Sequence, residues 1–154
     1  MIIIGIDPGT STGFAAMDTA IKTKDKLITV KTLTSDKNGL AFWKCIDAVA
    51  VVKMSAKGSG DKIVVYIENP NQNVTYVKAG DGTSGKREKI SRNVGMNQKE
   101  AQLLIEGVER LGVDVKTLVP NSQKWSADLF KRYTGYSKQT SQHARDAVRL
   151  IWGR

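Results

Sequence analysis

Two runs of aliphatic residues each stop at a single carboxylate. The first is Ile2-Ile3-Ile4-Gly5-Ile6-Asp7 and the second is Ile63-Val64-Val65-Tyr66-Ile67-Glu68. Much further along, His143 and Asp146 stand three residues apart, which puts both on one face of a helix. Three carboxylates and an imidazole brought together would suit a divalent cation. The turn after Asp7, with Pro8, Gly9 and Gly13, would add backbone N–H groups that a phosphate can approach. Taken singly, each residue has a plainer reading. Asp7 can cap a hairpin turn, Glu68 can be a solvated strand end, Asp146 can pair with Arg145 or Arg149, and His143 can sit at the surface.

The elements needed to position these groups follow from periodicity. The isoleucine run is charge-free and β-branched, as in a central strand buried on both faces. Residues 12–17 read as its return strand. Residues 26–33 alternate and form a third strand with one wet face, antiparallel to its neighbour. A helix over 39–56, capped by Asn38, carries Leu40, Trp43, Ile46, Ala50, Val51 and Met54 as its apolar stripe and ends at Lys57-Gly58-Ser59-Gly60. Residues 61–68 are the second buried strand. Parallel pairing with the first would set Asp7 and Glu68 at the same edge of the sheet. Residues 71–93 lack core periodicity and read as a long loop carrying Lys78, Lys86, Arg87, Lys89 and Arg92. A helix over 96–111 has a broad apolar face. Its stripe of Leu104, Val108 and Leu111 suits a sheet, and Ala101, Ile105 and Val108 widen it enough to suggest a second copy of the chain. A short strand over 113–119, a helix over 123–133 capped by Ser122, and a last helix capped by Ser141 complete the chain.

The chain has 154 residues and a formal charge of +9, from 24 Lys and Arg against 15 Asp and Glu. That length suits one domain, 1–154, with its own core. Cys45 is the only cysteine and His143 the only histidine, so neither a disulfide framework nor a Cys/His zinc site is available within the chain. The short apolar start carries no basic flank and is too brief to span a bilayer, which leads us to expect a cytoplasmic protein without membrane association. The positive excess points to a polyanionic partner, with nucleic acid the simplest.

Taken in order, Ile4-Gly5-Ile6-Asp7-Pro8-Gly9 with Thr12-Gly13, then Tyr66-Ile67-Glu68, then His143-Ala144-Arg145-Asp146-Ala147 resemble the RuvC-type Holliday-junction resolvases of the ribonuclease H-like superfamily, with the bacteriophage-encoded branch most similar. The resemblance covers nearly the whole chain in element order. It implies an α/β fold with a mixed five-stranded sheet flanked by helices. It also implies a homodimer acting on branched DNA in the cytoplasm of a bacterium or a phage-infected host. The implied activity is a divalent-metal endonuclease leaving 5′-phosphate and 3′-hydroxyl ends.

The resemblance carries the catalytic and metal-binding roles onto Asp7, Glu68, His143 and Asp146. Mg²⁺ is the implied cofactor, with Mn²⁺ able to substitute, and two ions roughly 4 Å apart would activate water and stabilise the leaving oxygen. Many members have aspartate where His143 stands, and an imidazole suits Mn²⁺ better than Mg²⁺. The basic residues Lys78, Lys86, Arg87, Lys89 and Arg92, with Lys124, Lys131, Arg132 and Lys138, would contact phosphates and supply affinity without reading sequence. Lys124 resembles a family lysine near the active site. Where members often carry an aromatic after the second carboxylate, this chain has Asn69-Pro70-Asn71-Gln72-Asn73, and Tyr76 is the nearest ring. Alternative readings are an ATP-binding domain of the actin and sugar-kinase type, which needs a second such domain, an RNA-processing nuclease of the same fold, and a non-catalytic module for branched DNA.

Overall fold

Period-two alternation along the first strand decides which face of the molecule each later element covers. The computed structural model describes residues 1–35, 41–72 and 84–154, with the backbone alone at 24 and over 84–93. Strand β1, Ile2–Asp7, is buried throughout. It pairs antiparallel with β2, Ser11–Asp18, and parallel with β4, Ile63–Glu68. Strand β3, Leu27–Thr34, lies antiparallel outside β2, and β5, Asp114–Leu118, lies parallel outside β4. The order β3-β2-β1-β4-β5 makes a mixed five-stranded sheet with β1 at its centre. That is the expected fold class.

Ile2, Ile4 and Ile6 point to one face, where α1, Ala41–Ser59, and α2, Ser84–Arg110, pack with Phe14, Val65 and Ile67. Ile3, with Ala15, Met17 and Val64, points to the other face. There α3, Ala127–Thr134, and α4, Gln142–Ile151, contribute Phe130, Ala147, Val148 and Ile151. Asp7 and Glu68 have the parity of Ile3 and Val64, so both carboxylates belong to the α4 face.

Several helix expectations are corrected. Helix α1 turns a different stripe to the sheet: Ala41, Cys45, Ala48, Val49 and Ala56 are buried, whereas Trp43, Val51 and Met54 are exposed. Small residues let this helix lie close to the sheet, and the larger Phe42 and Ile46 meet Gly107 of α2. Asn38 and Leu40 lie outside the described residues. Helix α2 begins at Ser84, inside the stretch read as a loop. Lys, Arg and Glu are good helix formers, so a charged segment can extend a packed helix without an apolar stripe of its own. Ala101 and Val108, expected on a face offered to a second chain, are fully buried in the core, and Ile105 packs against that core. Helix α3 starts at Ala127, with Ser126 rather than Ser122 as its cap: the Ser126 hydroxyl accepts from the Leu129 N–H. The final helix is capped by Ser141 as expected, its hydroxyl accepting from the Ala144 N–H at 3.1 Å.

Candidate active site

Ile6 of β1 is paired with Ile67 of β4, so Asp7 and Glu68 occupy the next step on neighbouring strands, whose axes are about 4.8 Å apart. Helix α4 crosses above them, and two glycines set how closely it lies. A Cβ added at Gly13 would come within 1.9 Å of the His143 carbonyl oxygen, and one at Gly5 within 2.1 Å of the Ala147 carbonyl oxygen. Both strand positions are bare so that the helix backbone can press onto the sheet. Its first turns then deliver His143 and Asp146 to the rim.

Among the described residues, the buried charged side chains are Asp7, Glu68 and Asp146, at 7, 7 and 1% exposure. Water screens such groups poorly, so each needs a partner or a shifted pKa. Asp7 Oδ2 lies 2.8 Å from His143 Nδ1. That hydrogen bond is the main cause holding the His143 pKa above its ordinary value. Asp146 accepts from Lys124 Nζ at 2.6 Å and from Gln142 Nε2 at 2.9 Å. Asp146 is therefore neither exposed nor paired with Arg145 or Arg149. Glu68 has no such arrangement. Its Oε2 is buried with no hydrogen-bond partner. Burial first, and the Asp7 charge second, push its pKa from 4.5 up to about 7, while Lys124 and Arg149 oppose the rise.

These partners bear on metal binding. As the side chains stand, no three Asp, Glu, His or Cys groups among the described residues converge to hold one ion. In this arrangement His143 occupies one oxygen of Asp7 and the Lys124 ammonium occupies one of Asp146. The donor chemistry nevertheless fits a hard divalent cation. Three buried carboxylates share one rim, one oxygen lacks a partner, and Lys124 already supplies a positive charge there. A cation taking up the Asp146 oxygen that Lys124 holds would displace the Lys124 ammonium.

The structure adds residues that the sequence reading missed. Gln142 is four residues before Asp146, a spacing that could have flagged it. Arg145 ties the segment before α3 to α4: it donates to the Trp125 carbonyl at 3.0 Å and to the Thr140 carbonyl at 2.6 Å. Arg149 holds the same segment by donating to the Asn121 carbonyl at 3.2 Å, and no local sequence signal announces either contact. Of the other basic residues, Lys131, Arg132 and Lys138 are exposed on and after α3, away from the carboxylates' direct contacts. Lys86, Arg87, Lys89 and Arg92 lie on the first turns of α2 with side chains outside the described residues, and Lys78 and Tyr76 lie outside altogether.

A mixed sheet with a central carboxylate-bearing strand and helices on both faces defines a ribonuclease H-like fold. No protein-family model and no curated protein matches the sequence. Among solved structures the chain is similar to RuvC of Thermus thermophilus in complex with a Holliday junction substrate. The TM-score is 0.60 and the identity 15%, over 97% of this chain and 89% of that one. A second RuvC structure from the same organism gives a TM-score of 0.55 at 15% identity, over 97% and 90% of the two chains. The likeness is one of fold, and that fold is RuvC-like.

Proposed function

We propose that this chain is a single nuclease domain, a divalent-metal-dependent endonuclease that cleaves Holliday junctions and related branched DNA. The carrying observation is the rim itself, where three buried carboxylates from β1, β4 and α4 meet beside His143 and one Glu68 oxygen has no partner. The RuvC-like fold and the charge of +9 support DNA as the polyanion. Mg²⁺, or Mn²⁺ in its place, held by Asp7, Glu68, His143 and Asp146, would supply Lewis-acid stabilisation of the phosphodiester and a nucleophilic water.

The chain's own groups have distinct tasks. Asp7 and Glu68 fix the negative pole of the rim, on strands too well paired to move. His143, bonded to Asp7 through Nδ1, has one ring nitrogen left, which would either ligate the cation or orient a water. Lys124, once displaced from Asp146, is placed to meet the phosphate charge. Lys131, Arg132 and Lys138 would contact the DNA backbone beyond the cut, together with Lys78, Lys86, Arg87, Lys89 and Arg92. The active form would be a homodimer, because a four-way junction must be nicked on two symmetry-related strands and each chain has one site.

The test is cleavage of a synthetic four-way junction in Mg²⁺. Asp7→Asn, Glu68→Gln and Asp146→Asn are each expected to lower cleavage at least a hundredfold while junction binding in EDTA stays within a fewfold of wild type. Wild-type protein that binds the junction but never cuts it would make this a non-catalytic DNA-binding module. Preferential cutting of structured RNA would make it an RNA-processing nuclease.

A further inference from the structure

The face of the sheet opposite α4 holds a second acidic group close to the same turn. Glu100, on α2, is half-buried, and its Oε1 lies 3.3 Å from the Thr12 hydroxyl. Thr12 is fully buried at the start of β2, where its hydroxyl also reaches the Gly9 carbonyl at 3.1 Å. That hydroxyl has a single hydrogen, which the Glu100 carboxylate and the Gly9 carbonyl share as acceptors, so Thr12 bridges α2 to the turn. Gly9 belongs to the turn that leaves Asp7. Two residues earlier on α2, the Gln98 carbonyl accepts from Asn71 Nδ2 at 3.1 Å. Asn71 lies in the 3₁₀ turn that leaves Glu68, and the Asn71 N–H itself bonds Asn69 Oδ1 at 3.0 Å. One stretch of α2 therefore grips the exits of both carboxylate-bearing strands, while α4 covers them from the other side.

We infer that Glu100 is a positioning residue, which fixes the Asp7-bearing turn through Thr12 and Gly9 and so sets how firmly the rim holds a divalent cation. The geometry argues for this role over a surface one. A half-buried carboxyl is costly unless bonded, and burial is the main cause holding the Glu100 pKa above the usual carboxylate range. Its partner is a buried hydroxyl rather than a basic side chain, so the contact works as a hydrogen bond and not as an ion pair. A turn held at Gly9 cannot let Asp7 swing, because Pro8 between them fixes its own φ.

His143 is the only histidine in the chain, so its ring gives one set of imidazole NMR signals, and that ring is bonded to Asp7. Those signals report the position of Asp7 in metal-free protein and do not depend on the nuclease reading. The activity readout, in contrast, rests on the function proposed above. In Glu100→Ala we expect the His143 signals to shift and broaden at fixed pH. We also expect the Mg²⁺ concentration for half-maximal junction cleavage to rise about tenfold, the scale on which a residue supporting a metal ligand acts. The rate at saturating Mg²⁺ and the junction affinity in EDTA should stay near wild type. Glu100→Gln keeps both length and hydrogen bonding and should remain within twofold in every readout. Glu100→Ala with wild-type His143 signals and Mg²⁺ dependence would overturn the inference. So would Glu100→Gln as impaired as Glu100→Ala. If no junction is cleaved at all, the nuclease reading falls, and the His143 signals alone decide whether Glu100 positions the turn.

Discussion

Glu68 is where burial and charge conflict most sharply. Its carboxyl sits beside Asp7 with one oxygen unpartnered, and its pKa is raised from 4.5 to about 7. A raised folded-state pKa means that the stability it contributes is fully present below 4.5 and is lost as pH climbs to about 7. His143 acts in the same sense, since its raised pKa withdraws stability as pH passes through it. Melts in EDTA are therefore expected to show Glu68→Gln gaining stability over wild type at pH 8 and losing that advantage by pH 4.5. A variant that tracks wild type at every pH would mean that Glu68 is not strained by its site. Saturating Mg²⁺ should reverse the order, because a cation relieves the same repulsion. At this scale much was legible in the sequence. An acid at the end of each buried run, and a histidine and an aspartate three apart, needed only strand parity and helix spacing to be brought to one face. Lys124 lay beyond such rules, because it reaches Asp146 from a segment without regular structure that Arg145 and Arg149 bond from α4.

Helix α4 sits where two missing side chains allow it. Gly13→Ala would place a methyl group 1.9 Å from the His143 carbonyl oxygen, and backbone cannot yield as a flexible side chain does. The helix must lift, carrying His143 away from Asp7 and Asp146 away from Glu68. We expect Gly13→Ala to cost roughly 1–3 kcal/mol of stability, the usual range for overpacking. Its loss of cleavage should exceed what the unfolded fraction explains. Thermal melts beside nicking assays check this, and a variant with wild-type melting and cleavage would show that α4 is not seated so tightly. Helix α4 was also the easiest helix to read, with a serine cap and an apolar face in one short stretch. Helix α1 was misread because size was taken as the sign of burial. Its large residues face out, and its small ones make the contact with the sheet. The first turns of α2 were missed because a charged, glycine-flanked segment lacks the apolar period by which a helix is usually recognised.

On the scale of the whole molecule, the proposed two-fold assembly would need a different surface from the one the sequence suggested. Ala101 and Val108 are already used by the monomer core, and Ile105 leans on it, so a charge at Ile105 would damage the fold before it tested any dimer. Among the exposed apolar residues, those of α1 stand out: Trp43, Val51 and Met54 are 58, 62 and 75% exposed. At about 100° per residue the three fall within roughly 80° of one another, on one side of the helix. A stripe pairing with its own copy across a two-fold axis would bury only part of the roughly 1,600 Å² of a stable interface, so exposed apolar residues of α2 such as Leu103 should join it. Met54→Glu is the clean test, because a side chain so exposed has little to lose in the monomer. Across a two-fold seam the same change sets two carboxylates into an apolar contact. We expect Met54→Glu to melt like wild type and to sediment as a monomer at micromolar concentration. On a four-way junction it should nick single strands without pairing the cuts. Wild-type protein that sediments as a monomer both free and on junction DNA would sink the dimer, and a Met54→Glu dimer with paired cuts would move the interface off α1.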